Sequence, residues 1–309
     1  MSDVILHHYP ESPFAEKIRL VLGFKQLRYR SVTIPMMLPK PDVVALTGGN
    51  RRTPIVQIGA DVYCDSALIA RVLDRLAPTP SLYPPAHAAT ADLLASWADQ
   101  HWFAAGVGYA MQPEGFKSMF GRHPPEVVAA FVEDRKAFRK GMPRMGLQAA
   151  TALLTSRLQA AEAQFADGRA YLLGSTPTIA DFSFYHPLWF VRQATAVAGF
   201  LDAFGGTTAW MTRMAAIGHG QSTPLGSAEA IDIAQSSVPA PLDGTSGASA
   251  GPCPIGARVA VSPSDYGIDP VAGDLMAESA DEWVVRRVDP RAGTLHVHFP
   301  RFGYQIESL

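Results

Sequence analysis

The amino-acid sequence predicts a multidomain protein with three parts in series: an α/β domain, an all-α domain and a small β domain. Three observations predict it. Short apolar strands alternate with helix starts over residues 1–84, and a 3.6-residue apolar periodicity takes over from Thr90 to Gly218. Beyond a Gly, Ser and Pro stretch at 236–254, apolar runs recur with strand spacing and turn residues between them. The expected boundaries are therefore 1–84, 88–235, a linker at 236–254, and 255–309. With 309 residues and 48% hydrophobic composition, the chain can bury a core large enough for two or three such domains.

The bulk properties exclude several function classes. A formal net charge of -2 and a pI near 6.5 give no basic field for nucleic acid. The start, Met1 to His8, lacks a basic region followed by a long apolar core, and no later run is apolar for long enough to span a bilayer, so cytoplasmic residence without membrane attachment is expected. Cys64 and Cys253 form no C-x-x-C pair, which excludes dithiol redox chemistry, and Cys64 at the end of an apolar strand reads as a buried, inert thiol.

In the first domain, Val4-Ile5-Leu6 reads as a strand that turns into a helix through Ser12-Pro13. Ser followed by Pro is the pattern of an N-cap with proline at the first helical position. The same geometry leaves the first helical amides unpaired, where the positive end of the helix dipole favours an anion such as a thiolate. A loop through Pro35, Pro39 and Pro41 follows, then a strand opened by Arg52-Thr53-Pro54 and a Gly59-Ala60-Asp61 turn. Val62-Tyr63-Cys64 runs into a second hydroxyl-bearing helix start at Asp65-Ser66. Lys17 and Arg19 read as surface residues of the first helix.

This order of a strand, a Ser-Pro helix start, a strand, a proline-led hairpin and an Asp-Ser helix start resembles the thioredoxin-like N-terminal domain of the cytosolic glutathione transferases. The resemblance implies that Ser12 addresses the glutathione sulfur as the catalytic hydroxyl and that Pro54 is the family's cis-proline. It also implies that Phe14, Arg52, Thr53, Pro54, Asp65 and Ser66 bind the tripeptide, Asp65-Ser66 at its γ-glutamyl end and Arg52 at its glycyl carboxylate. Arg51 competes with Arg52 for that last role, and Tyr9 is a rival hydroxyl to Ser12. Thr53 stands where the family often has valine, and Asp65 where glutamate is commoner.

In the second domain, amphipathic runs are expected at 126–139, 147–166, 179–194 and 207–216, with breaks at Gly121, Pro124-Pro125, 141–143 and 174–177. Thr178 and Asp181 make a capping box, in which the hydroxyl accepts from an amide three residues on and the carboxylate reaches back. The same box begins the buried helix of the transferases' helical domain, which extends the resemblance to about residue 220. Trp97, His101, Trp102, Phe103 and Tyr109 enrich the first long helix in aromatics, and helix-core packing is their ordinary use. In the family this helix walls the pocket of the electrophile, so the resemblance implies Tyr9, Trp102 and Tyr109 as candidate lining for an apolar or aromatic substrate.

The tail carries strands at 257–261, 282–288 and 294–299, with a hairpin turn at 289–293, which suggests an SH3-like barrel or meander. Its large apolar residues exceed what so small a unit covers alone, so it is expected to pack on the body. His296 and His298 share one strand face and read as solvated, because no third and fourth ligand stand at a metal-binding spacing. No metal is expected. The resemblance implies glutathione as cosubstrate, a small electrophile as partner, a homodimer, and transfer chemistry with isomerisation or ether cleavage as variants. The rival reading is a noncatalytic scaffold of the same fold whose β tail makes partner contacts.

Overall fold

The computed structural model describes residues 3–139, 144–242 and 251–309. The N-terminal domain runs β1 (Val4–His8), α1 (Pro13–Phe24), β2 (Arg28–Thr33), α2 (Pro41–Thr47), β3 (Ile55–Ile58), β4 (Asp61–Cys64) and α3 (Ser66–Leu76). β1 pairs parallel with β2 and antiparallel with β3, which pairs antiparallel with β4. Every residue of β1 is buried because the sheet is covered on both faces. Val4 and Leu6 join the core shared with α1 and the helical domain, while Ile5 between them joins the core on the opposite face, as the two-residue strand period requires.

The helical domain follows with α4 (Ala88–Trp97), a π-helical turn at Ala98–Trp102, α5 (Phe103–Ala110), α6 (Pro113–Phe120), α7 (Pro125–Arg139), α8 (Leu147–Phe165), α9 (Ile179–Gln193) and α10 (Gly205–Ala216). The four periodic runs read from the sequence end within two residues of α7 to α10. The expected break at 141–143 lies outside the described residues. α9 is the buried centre of the domain. The Thr178–Asp181 capping box is formed at its start, and Asp181 also accepts from the Leu172 amide at 2.8 Å and the Trp210 indole at 3.0 Å.

The chain then returns to the first sheet. The turn at 218–220 passes over Gly23 of α1, where a Cβ would stand 2.0 Å from the Gly218 carbonyl oxygen. β5 (Gln221–Pro224) pairs parallel with β2, and α11 (Ser227–Ser236) packs on α2. Residues 221–235, read from the sequence as the end of the helical domain, thus complete an edge of the N-terminal sheet. β5 is short, polar and exposed throughout, so no apolar alternation announces it.

The tail comprises β6 (Arg258–Pro263), β7 (Val271–Glu278), β8 (Glu282–Asp289), β9 (Gly293–Pro300) and β10 (Tyr304–Ser308). β6 to β9 form an antiparallel meander and β10 pairs back on β6. The meander does not dock as a closed unit. β9 pairs parallel with β4, with Val62 opposite Val297, and the result is one ten-stranded sheet in the order β10-β6-β7-β8-β9-β4-β3-β1-β2-β5. Val259, Leu275, Trp283, Val285, Val297 and Phe299 share a core with Ile5, Val32 and Val62. Of the expected linker, 243–250 lies outside the described residues, and the Ala240 amide donates to Asp61 at 2.8 Å.

Two expectations are overturned here. His296 and His298 are buried, because β9 is an interior strand: both lie beside the Asp61 carboxylate, at 3.7 Å and 3.1 Å, and His298 also faces Glu282 at 3.7 Å. Lys17 and Arg19 are buried as well, since α1 lies between the sheet and the helical domain. Lys17 pairs with Asp99 at 2.5 Å, and Arg19 pairs with Glu16 at 2.6 Å while donating to Pro10 O.

Candidate active site

Three parts of the chain meet around a cavity of about 80 Å³. The N-terminal domain contributes Phe14, Arg52, Thr53, Pro54, Asp65 and Ser66, the six positions expected to bind the tripeptide. The helical domain contributes Asp99 from the π-helical turn, and the tail contributes Asp265, Tyr266 and Phe302.

Local structure explains the N-terminal wall. The Thr53–Pro54 peptide is cis, and the loop before it is held by Asn50, whose side-chain oxygen accepts from the Arg52 amide at 3.3 Å. Asp65 lies at φ 78°, ψ 134°, a region that L-residues enter at a cost of about 1–3 kcal/mol. Its carboxylate accepts from the Ala67 amide at 2.9 Å and stands 3.6 Å from Arg52. Burial raises the Asp65 carboxyl above its ordinary range, against the pull of the Arg52 charge. A strained backbone that sets a carboxylate at a helix start, beside an arginine and an open cavity, is a candidate binding feature.

Beneath this wall runs a buried ionic chain. The Lys17 ammonium donates to Ser66 Oγ at 3.4 Å and to Asp99, whose other oxygen receives His186 Nε2 at 3.1 Å. Burial acts to raise the Asp99 pKa, but the Lys17 charge and the His186 hydrogen bond overcome it and the carboxyl is held low. Burial also lowers His186, leaving a neutral ring that donates to Asp99. On the opposite side of Thr53, the buried Lys40 ammonium donates to Thr53 Oγ1 at 3.3 Å and lies 5.5 Å from the centre of the Tyr9 ring. Burial and the neighbouring Arg135 charge bring the Lys40 pKa down to about 8.

The remaining expected residues lie elsewhere. Ser12 caps α1, accepting from the Ala15 amide at 3.2 Å, and is buried without lining the cavity. Tyr9 lies against it, its hydroxyl receiving Arg135 at 3.4 Å, and burial raises its pKa. Trp102 is 1% exposed and donates to the Phe184 carbonyl at 3.1 Å inside the helical core. Tyr109 packs on Phe200 with ring centres 4.7 Å apart. Neither Trp102 nor Tyr109 lines the cavity, whose helical-domain wall is made by Ser96, Asp99 and Gln100. Arg51 pairs with Asp134 at 3.2 Å and covers Phe138, so Arg52 is the arginine at the cavity. Burial pushes the Cys64 thiol up to about 12. Among the described residues, no group of three or more His, Cys, Asp or Glu side chains is arranged to hold a metal, and no helix is long and apolar enough to cross a membrane.

Lys17, Lys40, Asp99 and the tail residues escaped the sequence reading. Lys17 had a signal: it shares the α1 face of Phe14, Ile18 and Val21, so a solvated position was excluded by periodicity. Asp265 and Tyr266 had none, since they lie more than 200 positions from Arg52.

The glutathione S-transferase N-terminal domain model matches residues 6–81, and the corresponding C-terminal domain model matches residues 144–213. The crystal structure of a GST-like protein from Pseudomonas syringae superposes with a TM-score of 0.86 at 40% sequence identity, covering 100% of both chains. A Tau class glutathione S-transferase from mango, Mangifera indica, matches at 18% identity over 69% of this chain and 89% of its own, with a TM-score of 0.52. A glutathione S-transferase from Rhodospirillum rubrum does so at 20% identity over 69% and 87%, with a TM-score of 0.51. No curated protein matches the sequence. Full-length similarity at this identity, together with both domain matches, makes the chain a member of the glutathione S-transferase superfamily.

Proposed function

We propose that this protein binds glutathione in the cavity and joins the tripeptide, through its thiolate sulfur, to a small electrophile. The observation that carries the reading is the strained Asp65 at the head of α3, 3.6 Å from Arg52 on the wall of a cavity also lined by Thr53, Pro54 and Ser66. The γ-glutamyl ammonium and carboxylate suit Asp65, Ser66 and the first amides of α3. The cysteinyl backbone suits the main chain of Thr53, and the glycyl carboxylate suits Arg52, with Lys40 behind Thr53 adding positive charge.

A thiol with an ordinary pKa of ~8.5 is only a few per cent ionised at neutral pH. Ser12 accepts the Ala15 amide through a lone pair and also hydrogen-bonds Tyr9, so its hydroxyl must turn from Tyr9 to donate to a sulfur at the start of α1. That donor and the helix dipole favour the thiolate, whose electron pair attacks the electrophilic carbon and expels the leaving group. Addition followed by departure of the same sulfur would give isomerisation instead. Phe14, Tyr266 and the exposed Phe302 provide an aromatic surround for an apolar substrate.

Calorimetry and thermal unfolding at millimolar glutathione test the first step. Ligand at ~100 times its dissociation constant stabilises by ~2.7 kcal/mol, and folded protein with neither heat nor stabilisation would reject the reading. Ser12→Ala is expected to cut turnover at least tenfold while glutathione affinity changes little. Unchanged turnover with a loss of ~1 kcal/mol in stability would leave Ser12 as a helix cap alone.

A further inference from the structure

The 264–270 loop between β6 and β7 extends from the tail onto the glutathione side of the cavity. Asp265 forms an ion pair with Arg52 Nη2, and the Tyr266 carbonyl accepts from Arg52 Nε at 3.2 Å. The guanidinium lies 4.2 Å from the centre of the Tyr266 ring and 5.4 Å from that of Tyr304. The loop is pinned on its far side too. The Gly267 amide donates to the Phe138 carbonyl of α7 at 2.8 Å, and the Tyr266 ring meets Phe138 edge-on at 5.2 Å. Gly267 has φ +61°, and a Cβ there would fall 2.5 Å from the Phe138 ring. The neighbouring β9–β10 turn is tied to it, since the Ser264 amide donates to the Gly303 carbonyl at 3.0 Å.

These contacts use the groups that the proposed ligand requires. Arg52 already faces two carboxylates, Asp65 and Asp265, and its Nε and Nη2 donors are committed to the tail. A third carboxylate at that one cation meets net repulsion in a half-buried site. The cavity of about 80 Å³ is also well below the roughly 300 Å³ at the small end of ligand pockets. The Tyr304 hydroxyl, buried beside Arg52, has no hydrogen-bond partner among the described residues. We infer that the 264–267 loop is a built-in latch, with Asp265 occupying on Arg52 the place of the ligand's carboxylate, so that glutathione enters only by displacing it. The tail therefore sets the affinity of the site: the apparent dissociation constant is the intrinsic one divided by the unlatched fraction. This inference rests on the glutathione reading above.

The test compares wild type with the isosteric Asp265→Asn, each alone and combined with Arg52→Gln, using glutathione titration and hydrogen exchange of residues 264–270. Asp265→Asn is expected to tighten glutathione binding at least fivefold and to speed exchange at the Gly267 amide, with β9 amides unchanged. In the Arg52→Gln background the same substitution is expected to change neither quantity, because the latch has already lost its anchor. Asp265→Asn that weakens glutathione binding, or that leaves affinity and exchange as in wild type, overturns the latch. If no variant binds glutathione, the ligand reading fails by itself, and exchange still decides the latch: equal protection of 264–270 in wild type and both single variants would overturn it.

Discussion

The N-terminal sheet meets the helical domain and the tail through two seams of different physical kinds. The first is made of side chains, with α1 carrying Lys17, Arg19 and Glu16 into the helical domain and Asp99 and His186 answering from it. The second is made of backbone. β9 extends the ladder of β4, and an apolar cluster continues across the join. A buried ion pair fails when one partner is removed, whereas a strand ladder spreads its contribution over many amides and is lost as a unit. Each seam also supplies one carboxylate to the cavity, Asp99 from the first and Asp265 from the second.

Removing the second seam whole has the largest expected effect. Truncation after Ser237 uncovers the β4 edge and the face formed by Ile5, Val32, Ile55 and Val62, so the remaining body is expected to aggregate or to melt more than about 10 °C lower. A soluble body with an unchanged melting temperature would break the distinction. The first seam is tested by one side chain: Asp99→Ala leaves the fully buried Lys17 ammonium uncompensated and is expected to cost about 3–5 kcal/mol in urea unfolding. Lys17→Met combined with Asp99→Asn removes the stranded charge and is expected to recover more than half of that loss. A loss below about 1 kcal/mol for Asp99→Ala would show that the pair does not govern this seam.

The smallest effect is a pH dependence at the β4–β9 join. Burial works against charge on His298, but hydrogen bonding to Asp61 and the Glu282 carboxylate outweigh it, and its pKa is raised. Asp61 and Tyr63 face it from β4, Glu282 from β8 and His296 from its own strand, while Arg75 of α3 approaches Glu282 at 4.0 Å. A raised folded-state pKa gives stability that is complete below the ordinary histidine value of 6.5 and is lost as pH climbs through the folded value. The melting-temperature advantage of wild type over His298→Asn is therefore expected to shrink from pH 6 to pH 8.5. An advantage that grows with pH would mean that His298 is neutral in the folded protein.

The sequence carried the α/β and helical domains well because their signals are local. Ser12-Pro13, Thr53-Pro54, Asp65-Ser66 and the Thr178–Asp181 box each specify a short piece of backbone by themselves, and six predicted positions converge on the cavity. The seams were less legible. Strand periodicity marks Thr294 to Phe299 as a strand without saying which edge it joins, and that unspoken pairing decides whether His298 is solvated or buried. Trp102 and Tyr109, expected beside the electrophile, lie apart from the cavity, and the π-helical turn at Ala98–Trp102 is a departure from the helical period that residue spacing does not announce.

The order in which the ten strands are sewn together bears on how the chain is born. β4 and β2, the outer strands of the first domain, are covered by β9 and β5, which are synthesised long after α3. At roughly 5–20 residues per second, nascent chains keep both edges bare for tens of seconds. During that interval the N-terminal module presents two open strand edges and an unroofed apolar face, the features that invite mispairing with neighbouring chains. The tail therefore closes the β4 edge late in biosynthesis, and a chain that stops before β9 leaves that edge open to mispairing.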